Sequence, residues 1–468
     1  MRTIVEIEAA ARKRLAPAHY DFYAGGADAE ETLRANEEAF RRRVLVPRVL
    51  RGVSERDLSV QLAGSPLSMP VLVSPTAFHR LAHPEGEVAT ARAVARAGTV
   101  LVVSMGATTA IEDIAAAARA AWTENAAEED AAARAAAKGE AAAREAAAGE
   151  AAVRIAADGE AARGEAAMRA AAKGEAAARE AAAGDGQAAR GEAAAREAAA
   201  GDGQAAKGEA AARDAAAGGG TAGEAAAGGV TAGAVAVSEG VAAGAPALWF
   251  QLYPQPDRGF TEAVLRRVER AGVAALVVTV DSAVYGQRER DHRNGFHDLP
   301  PHLAVENMRD HTGRVRDIAM PAALSWADVE WLRAATTLPI FLKGILHPAD
   351  ARRAVRAGVS GLVVSNHGGR QLDSAISTVD ALPAVASAVD GAIPLILDGG
   401  VRCGTDVVKA LALGASAVGI GRPVLWGLAA AGSEGVTEVL ERLRSEVDRA
   451  LALCGAVNPA GLTADLVR

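Results

Sequence analysis

The sequence predicts an α/β protein, namely a (β/α)8 TIM barrel with an N-terminal helical cap and a low-complexity insertion between barrel helix 2 and barrel strand 3. Three observations predict this fold. Eight short apolar runs alternate with helix-like segments after residue 70, as expected for repeated βα units. The last two runs end in glycines and an arginine, which is typical of a barrel's phosphate site. Between residues 123 and 244 the chain is almost entirely Ala, Gly, Glu and Arg, and the alternation stops.

The predicted strands are apolar runs that end in polar residues or glycine, as buried parallel strands do. They span residues 71–74, 100–104, 248–252, 275–280, 340–342, 361–364, 395–397 and 417–420. Helical patterns separate most of them, at 85–97, 261–271, 348–357 and 405–413. A doubly wound open sheet is the alternative, and the phosphate-type ending of the last strand favours the barrel.

The cap and the insertion divide the chain into three parts, 1–122, 123–244 and 245–468. Helical patterns at 3–16 and 29–43 predict the cap, and Pro17 ends or redirects the first helix.

In the insertion a 17-residue unit begins at Gly174, again at Gly191 and in part at Gly208. Ala, Glu and Arg favour helix and the recurrent glycine breaks it, so we expect short, fluctuating helices without a core. A tolerated repeat expansion is the favoured interpretation, and a tether or docking segment is the alternative.

Composition excludes several classes of function. The chain has 468 residues, 50% of them hydrophobic, so it can bury a large core. A formal net charge of −8 argues against nucleic acid as a partner. Because no apolar run reaches transmembrane length and the first residues lack the apolar core of a signal peptide, we expect a cytoplasmic protein with no membrane partner. Cys403 and Cys454 have no metal-ligand spacing, so we expect free thiols and no metal site.

The most informative stretch is 363–373, where an apolar run gives way to Ser-Asn-His-Gly-Gly-Arg-Gln. His367 can accept a proton near neutral pH. Arg370 can hold a carboxylate through two parallel hydrogen bonds. Gly368 and Gly369 allow a tight turn and the close approach of a flat ligand. On its own such a turn would simply face water, but the other strand ends argue for a site.

This stretch resembles the family of FMN-dependent α-hydroxy-acid oxidases and dehydrogenases, which includes glycolate oxidase, lactate oxidase and mandelate dehydrogenase. The resemblance covers about 1–120 and 246–460. It implies FMN as the cofactor, oxidation of a 2-hydroxy acid to a 2-oxo acid, and dioxygen or another electron acceptor. It also implies a homo-oligomer, either a tetramer or an octamer. Membrane-bound relatives carry an anchor after strand four, whereas residues 287–323 contain no long apolar stretch.

The resemblance gives the strand-end residues catalytic roles. His367 removes a proton from the substrate, and Asp281 stabilises the charged imidazole and so raises its pKa. Arg288 and Arg370 bind the substrate carboxylate, and Tyr253 contacts the substrate through its hydroxyl. An ordinary surface ion pair is the alternative for the spacing of Asp281 and Arg288.

The flavin site is predicted from the remaining strand ends. Lys343 closes an apolar strand, where an ammonium is costly unless it meets an anion such as reduced flavin; a structural ion pair is the alternative. Arg402 and Arg422, beside glycines at the ends of strands seven and eight, predict the phosphate site. No Gly-x-Gly-x-x-Gly follows an early strand, which argues against a dinucleotide. The predicted FMN contacts are Pro75, Thr76, Ala77, Ser104, Gln251, Tyr253, Thr279, Lys343, Ser365, Asp398, Gly399, Gly400, Arg402, Gly421 and Arg422.

Two departures from the family bear on the substrate. The cap tyrosine that touches the carboxylate in the family is Phe22 here, which has no hydroxyl to donate. Gly106 stands where many short-chain oxidases carry a bulky aromatic. Together with the run 290–296, these residues resemble the branch that handles mandelate-type aryl acids. A lactate-like acid is the alternative, and ordinary packing of Phe22 and a plain turn at Gly106 stay open.

Two further alternatives concern the function itself. The electrons could pass to a quinone or a protein acceptor in place of dioxygen. The chain could also be a non-catalytic flavin- or phosphate-binding barrel that docks partners through its repeat segment.

Overall fold

The structure, a computed structural model, describes residues 2–184, 248–320 and 322–468. These residues fall into two compact units, one made of 2–129 and 248–468 and the other of 130–184. The predicted boundary between residues 122 and 123 lies within a helix. The predicted boundary between 244 and 245 lies outside the described residues.

The first unit is built on a closed barrel of eight parallel strands, β3–β10. The described strands are β1 Val60–Leu62, β2 Ser65–Leu67, β3 Val71–Val73, β4 Leu101–Ser104, β5 Leu248–Leu252, β6 Ala275–Thr279, β7 Ile340–Lys343, β8 Gly361–Val364, β9 Leu395–Asp398 and β10 Ala417–Ile420. The ring closes where β10 pairs in parallel with β3, Val418 opposite Val71. All residues of the eight barrel strands are buried, which explains their continuous apolar runs. The predicted barrel is confirmed, and the open-sheet alternative is excluded.

A hairpin that the sequence did not predict packs against the barrel interior. Its strands β1 and β2 pair antiparallel just before β3 begins. Leu62 and Leu67 join the apolar side chains inside the barrel. The Trp249 indole, near the start of β5, donates to the Ser65 hydroxyl at 3.0 Å. The hairpin therefore covers the end of the barrel where the strands begin, and the opposite end is left for the site.

The described helices are α1 Ile4–Arg14, α2 Pro17–Ala24, α3 Glu31–Arg42, α4 Gly86–Arg96, α5 Ile111–Gly184, α6 Arg258–Arg270, α7 Glu289–Arg293, α8 Trp326–Ala335, α9 Pro348–Arg356, α10 Thr378–Val389, α11 Gly404–Ala412 and α12 Arg422–Cys454. Thr3 and Glu6 cap α1 through reciprocal hydrogen bonds. Pro17 is the first residue of α2, where a missing N–H costs nothing, so it redirects the cap and does not end it. The sequence did not predict α2 as a separate helix. No helix in the described ranges is long and apolar enough to cross a membrane.

The predicted interruptions of the insertion are wrong for its described part. Helix α5 is continuous over 74 residues, through several internal glycines. Each glycine in a helix costs only about 1 kcal/mol relative to alanine, and the alanines, glutamates and arginines between them favour helix. The side chains described between residues 134 and 179 are exposed. The repeat units that begin at Gly191 and Gly208 lie outside the described residues.

Candidate active site

The carboxyl ends of the barrel strands open into a cavity of about 850 Å3. A barrel gathers functional groups here because the loops after all its strands converge at this end. Asp281 and Ser365 lie behind the cavity wall, in contact with His367 and Lys343. The other predicted site residues all line the cavity, namely Phe22, Pro75, Thr76, Ala77, Ser104, Gly106, Gln251, Tyr253, Thr279, Arg288, Lys343, His367, Arg370, Asp398, Gly399, Gly400, Arg402, Gly421 and Arg422.

His367 follows β8, and its ring lies between two partners. Its Nδ1 is 3.0 Å from Asp281 Oδ1, and its Nε2 is 3.5 Å from the Tyr253 hydroxyl. Asp281 can come this close to β7 because Gly344 has no side chain; a Cβ there would lie 2.5 Å from the Asp281 Cβ. A carboxylate on Nδ1 fixes the proton there and leaves Nε2 as the proton acceptor.

The pKa of His367 lies below its ordinary value of 6.5. Burial lowers it most, Asp281 raises it, and the charge of Lys343 lowers it further. Asp281 raises the pKa of His367 as predicted, but burial, which the sequence does not reveal, outweighs this contribution. Burial also opposes ionisation of Asp281, yet His367 and Lys343 keep the pKa of that carboxyl below its ordinary value. At neutral pH the pair is therefore a neutral imidazole on a carboxylate, which is the state a general base needs.

Tyr253, which follows β5, is a hydrogen-bond donor in this site. Burial raises the pKa of its phenol, and the negative charge of Asp281 raises it further. The hydroxyl therefore keeps its proton at neutral pH. Because it lies beside His367 Nε2, it can donate to a ligand that also contacts the histidine.

Arg288 and Arg370 place two positive charges on one side of the cavity. Arg370 Nη1 donates to the carbonyl oxygens of Phe22 at 2.6 Å and Gly25 at 2.8 Å. The ion-pair partner of Arg288 in the described part of the chain, Asp291, is 4.0 Å away. Burial and the charge of Arg288 lower the pKa of Arg370 well below its ordinary value. This surplus of buried positive charge favours an anion such as a carboxylate.

Lys343, the last residue of β7, is buried at the cavity floor. Its ammonium donates to the Ser365 hydroxyl at 2.8 Å and lies 3.3 Å from Asp398 Oδ2. The Ser74 hydroxyl donates to the same carboxylate oxygen at 3.2 Å. The structural ion pair that was the alternative is thus present, and the lysine also lines the cavity. A role toward the flavin stays a prediction.

The turn after β9 is shaped by glycine. Gly399 and Gly400 have φ angles of 96° and 86°, which side chains disfavour. A Cβ on Gly400 would lie 2.4 Å from the Asn36 carbonyl oxygen. The turn therefore packs directly against the cap helix α3 and exposes its backbone to the cavity.

The two arginines of the predicted phosphate site are held by protein groups. Arg402 pairs with Glu37 at 2.9 Å. Burial, and then the charge of Arg402, lowers the pKa of Arg422 to about 10. The Arg422 guanidinium donates to three carbonyl oxygens, those of Tyr23, Gly25 and Gly368. Two neighbouring, partly buried cations suit a phosphate, and this role stays a prediction.

FMN fits the polar atoms of this cavity. Among the predicted FMN contacts that line the cavity, three have a buried polar atom with no hydrogen-bond partner in the described chain, namely Gln251 Nε2, Thr279 Oγ1 and Asp398 Oδ1. Gln251 is oriented by its other end, since its Oε1 accepts from the Ser104 hydroxyl at 3.1 Å. An amide donor, a hydroxyl and a carboxylate acceptor suit the polar edge of a flavin ring and the hydroxyls of its side chain.

Sequence reasoning missed two features of the site. One is an aromatic cavity residue, Phe78, which directly follows the Pro-Thr-Ala turn; that position was the available signal. The other is Asn36, which exchanges two amide hydrogen bonds with Asn366, at 2.9 and 2.8 Å. This exchange ties helix α3 to the His367 turn, and Asn366 belongs to the Ser-Asn-His motif.

Comparison with known proteins gives a consistent result. The sequence matches the profile of the FMN-dependent dehydrogenase family over residues 11–158 and 194–468. Glycolate oxidase 1 of Zea mays is 34% identical, over 98% of this chain and 94% of its own. An L-lactate oxidase of a Nostoc species is 35% identical, over 97% and 94%. The crystal structure of mandelate oxidase with 3,3-difluoro-2-hydroxy-3-phenylpropionic acid superposes with a TM-score of 0.68 at 31% identity, covering 100% of this chain and 98% of that one.

Fold and site together define a barrel oxidoreductase that works through a flavin. With the profile matched over most of the chain and relatives above 30% identity along nearly its whole length, the chain belongs to the FMN-dependent dehydrogenase family. It is an FMN-dependent enzyme that oxidises 2-hydroxy acids. The predicted family, cofactor and reaction are confirmed, and the non-catalytic alternative is set aside.

Proposed function

We propose that the enzyme oxidises an aryl (S)-2-hydroxy acid of the mandelate type to the 2-oxo acid and delivers the electrons to dioxygen. The observation that carries this proposal is an aromatic wall formed by Phe22, Phe78 and Phe296, all of which line the cavity. The Phe22 ring centroid lies 5.5 Å from that of Phe78 and 5.2 Å from that of Phe296. An aryl group on the α-carbon of a bound acid would pack favourably against this wall.

Gly106 supports the same substrate because it leaves space in the cavity. A Cβ at this position would lie 3.1 Å from the Ala77 Cβ and 3.7 Å from the Ile318 Cδ1. Even a methyl group would crowd Ala77 here, and a large side chain would have to occupy part of the cavity that Gly106 lines. Glycine leaves that volume to the substrate. The similarity to mandelate oxidase adds support from a solved structure.

The positions of the side chains give each a role in the reaction. The substrate carboxylate lies between Arg288 and Arg370, and Tyr253 donates to a substrate oxygen. His367 accepts the proton that the substrate releases, and Asp281 stabilises the imidazolium that forms. FMN, when bound, accepts the two electrons that leave the substrate.

Two observations concern the reduced flavin and the final electron acceptor. The buried ammonium of Lys343 favours negative charge on a ligand at the cavity floor. Dioxygen as the acceptor is supported by relatives that are named oxidases. A cytoplasmic homo-oligomer, tetramer or octamer, completes the proposal and rests on the sequence alone.

(S)-Mandelate should reduce the bound flavin with a second-order rate constant about 30-fold above that of glycolate, since burying a phenyl ring stabilises by about 2 kcal/mol. The protein is mixed anaerobically with (S)-mandelate, (S)-lactate or glycolate, and the loss of flavin absorbance is followed. A faster reaction with lactate or glycolate would contradict the aryl assignment. Air is then admitted: recolouring on the timescale of turnover supports dioxygen, and much slower recolouring argues for another acceptor.

The pH dependence of flavin reduction should report on His367. Because the histidine must be neutral to accept a proton and burial lowers its pKa, the rate at limiting substrate should rise with pH through an inflection below 6.5. Asp281 raises the pKa of His367, so Asp281→Asn should shift the inflection to still lower pH and lower the plateau. Stopped-flow reduction across pH measures both. An inflection that stays in place in Asp281→Asn would show that it belongs to another group.

A further inference from the structure

We propose that Phe78 sets the preference of this enzyme for aryl over aliphatic acids, and that Tyr23 and Glu87 are positioning residues that hold it in the cavity wall. The inference rests on the proposed aryl substrate. Phe78 lines the cavity immediately after the Pro75–Ala77 turn, which is predicted to lie along the flavin. Its ring is nearly parallel to that of Phe22, with an interplanar angle of 21°.

The backbone of Phe78 is in a conformation that side chains disfavour. Its φ and ψ are 65° and 39°, the left-handed region, where glycine is at ease and a bulky residue is strained. Such a residue persists only where its surroundings fix it, and residues of this kind cluster at functional sites. Other residues must therefore hold the Phe78 backbone in this conformation, and the strain is explained if the ring has a function in the cavity.

Besides the local bond from the Leu81 N–H to the Phe78 carbonyl at 2.9 Å, three hydrogen bonds to residues outside this turn hold the Phe78 backbone in place. The Phe78 N–H donates to the Gly106 carbonyl at 3.2 Å, and its own carbonyl accepts from the Tyr23 hydroxyl at 2.7 Å. The next N–H, of His79, donates to Glu87 Oε1 at 3.1 Å. The peptide group after Phe78 is thus held at both ends, which fixes the direction of the ring.

Both positioning residues are themselves buried and bonded. Glu87 is 3% exposed, and its carboxylate also accepts from Thr108 and Thr109 on the loop after β4. Tyr23 is 4% exposed, and burial raises the pKa of its phenol, so it stays a donor. The buried Glu87 carboxylate connects the loops after β3 and β4, and so fixes the position of Phe78 relative to Gly106.

The function we assign to the Phe78 ring follows from its position, stacked on Phe22 in the cavity wall. The guanidinium carbons of Arg370 and Arg288 lie 5.1 Å and 6.0 Å from the centroid of the Phe22 ring. In a 2-hydroxy acid the carboxylate and the variable group share one carbon. A group on that carbon therefore lies close to the residues that contact the arginines, and Phe78 widens this apolar surface.

The test uses Phe78→Gly, because glycine accepts the left-handed backbone while the whole benzyl side chain is removed. The dissociation constants of benzoylformate and pyruvate, two 2-oxo acids with the same carboxylate, are measured by titrating the flavin spectrum of the holoenzyme. We expect benzoylformate to bind about tenfold or more weakly in Phe78→Gly, as for other lost pocket contacts, and pyruvate to change little. Tyr23→Phe should raise the ratio of the benzoylformate to the pyruvate dissociation constant as well, by a smaller factor. Leu50→Ala, at another left-handed but fully exposed residue, is the matched control.

The outcomes separate this inference from the proposed substrate. If wild-type enzyme does not oxidise (S)-mandelate, the proposed substrate fails, and the binding ratio still tests Phe78. If Phe78→Gly keeps its flavin spectrum and an unchanged ratio, the inference is overturned. If that variant does not fold, Phe78→Leu keeps the bulk and removes the aromatic face, and an unchanged ratio there overturns it equally.

Discussion

His367→Ala should lower the rate of flavin reduction by about 10²–10⁴-fold, the usual contribution of a positioned general base. The imidazole is mostly shielded from solvent, its pKa is lowered, and Asp281 Oδ1 lies 3.0 Å from its Nδ1, so the site holds a neutral proton acceptor. FMN should stay bound, because the side-chain partners of His367 are Asp281 and Tyr253 and not the unpaired atoms that suit the flavin. Anaerobic stopped-flow reduction and the visible spectrum measure the two properties separately.

Two controls sharpen this result. His297→Ala removes an exposed histidine that lines the same cavity, and it should reduce at close to the wild-type rate. Imidazole added to His367→Ala should restore part of the rate, since it can occupy the space and act as the base. Wild-type reduction by His367→Ala would remove the histidine from the mechanism.

The barrel could be predicted from the sequence because its strands are buried on both faces. An apolar run that stops at a polar or glycine residue marks a parallel strand and its carboxyl end together, so no end of a barrel strand differs by more than one residue between prediction and structure. The same rule predicted which residues share one cavity, since the loops after all the strands converge at the same end of the barrel.

Other features depend on tertiary environment and were beyond sequence reasoning. The pKa of His367 is lowered because the folded protein shields the ring from solvent, and a sequence motif does not show how strongly a residue is shielded. The left-handed backbone of Phe78 follows from three hydrogen bonds made by residues distant in sequence. Helix α5 is a different case, because its continuity follows from local propensity: the alanines, glutamates and arginines outweigh the small penalty of each glycine, a balance that the prediction of interruptions misjudged.

Arg288→Met should raise the dissociation constant of the hydroxy acid by about 10–100-fold, because a charge-assisted hydrogen bond contributes about 1.5–3 kcal/mol. Its effect on stability should be small. The Arg288 Nε is buried without a partner in the described chain, and its ion pair with Asp291 spans 4.0 Å. The charge of Arg288 is therefore available to a ligand.

Arg370→Met should show the same loss of binding and, in addition, a lower melting temperature. Arg370 donates to the carbonyl oxygens of Phe22 and Gly25 in the cap, and a buried acceptor that loses its donor costs about 1–3 kcal/mol. Arg316→Met is the matched control, since Arg316 lines the same cavity but pairs with Asp257 at 2.9 Å. It should bind the acid about as tightly as wild type.

A neutral substrate analogue isolates the carboxylate. Mandelamide keeps the ring and the hydroxyl and lacks the negative charge, so wild-type enzyme should bind it far more weakly than mandelate. In Arg288→Met and Arg370→Met the two compounds should bind more equally, because the charge that distinguishes them has lost a partner. Titration of the oxidised flavin spectrum, with thermal melting in parallel, gives both readouts. If both variants keep the wild-type preference for mandelate over mandelamide, the carboxylate is bound by other residues. If only Arg370→Met has a lower melting temperature, Arg370 stabilises the cap and Arg288 does not, as their hydrogen bonds predict.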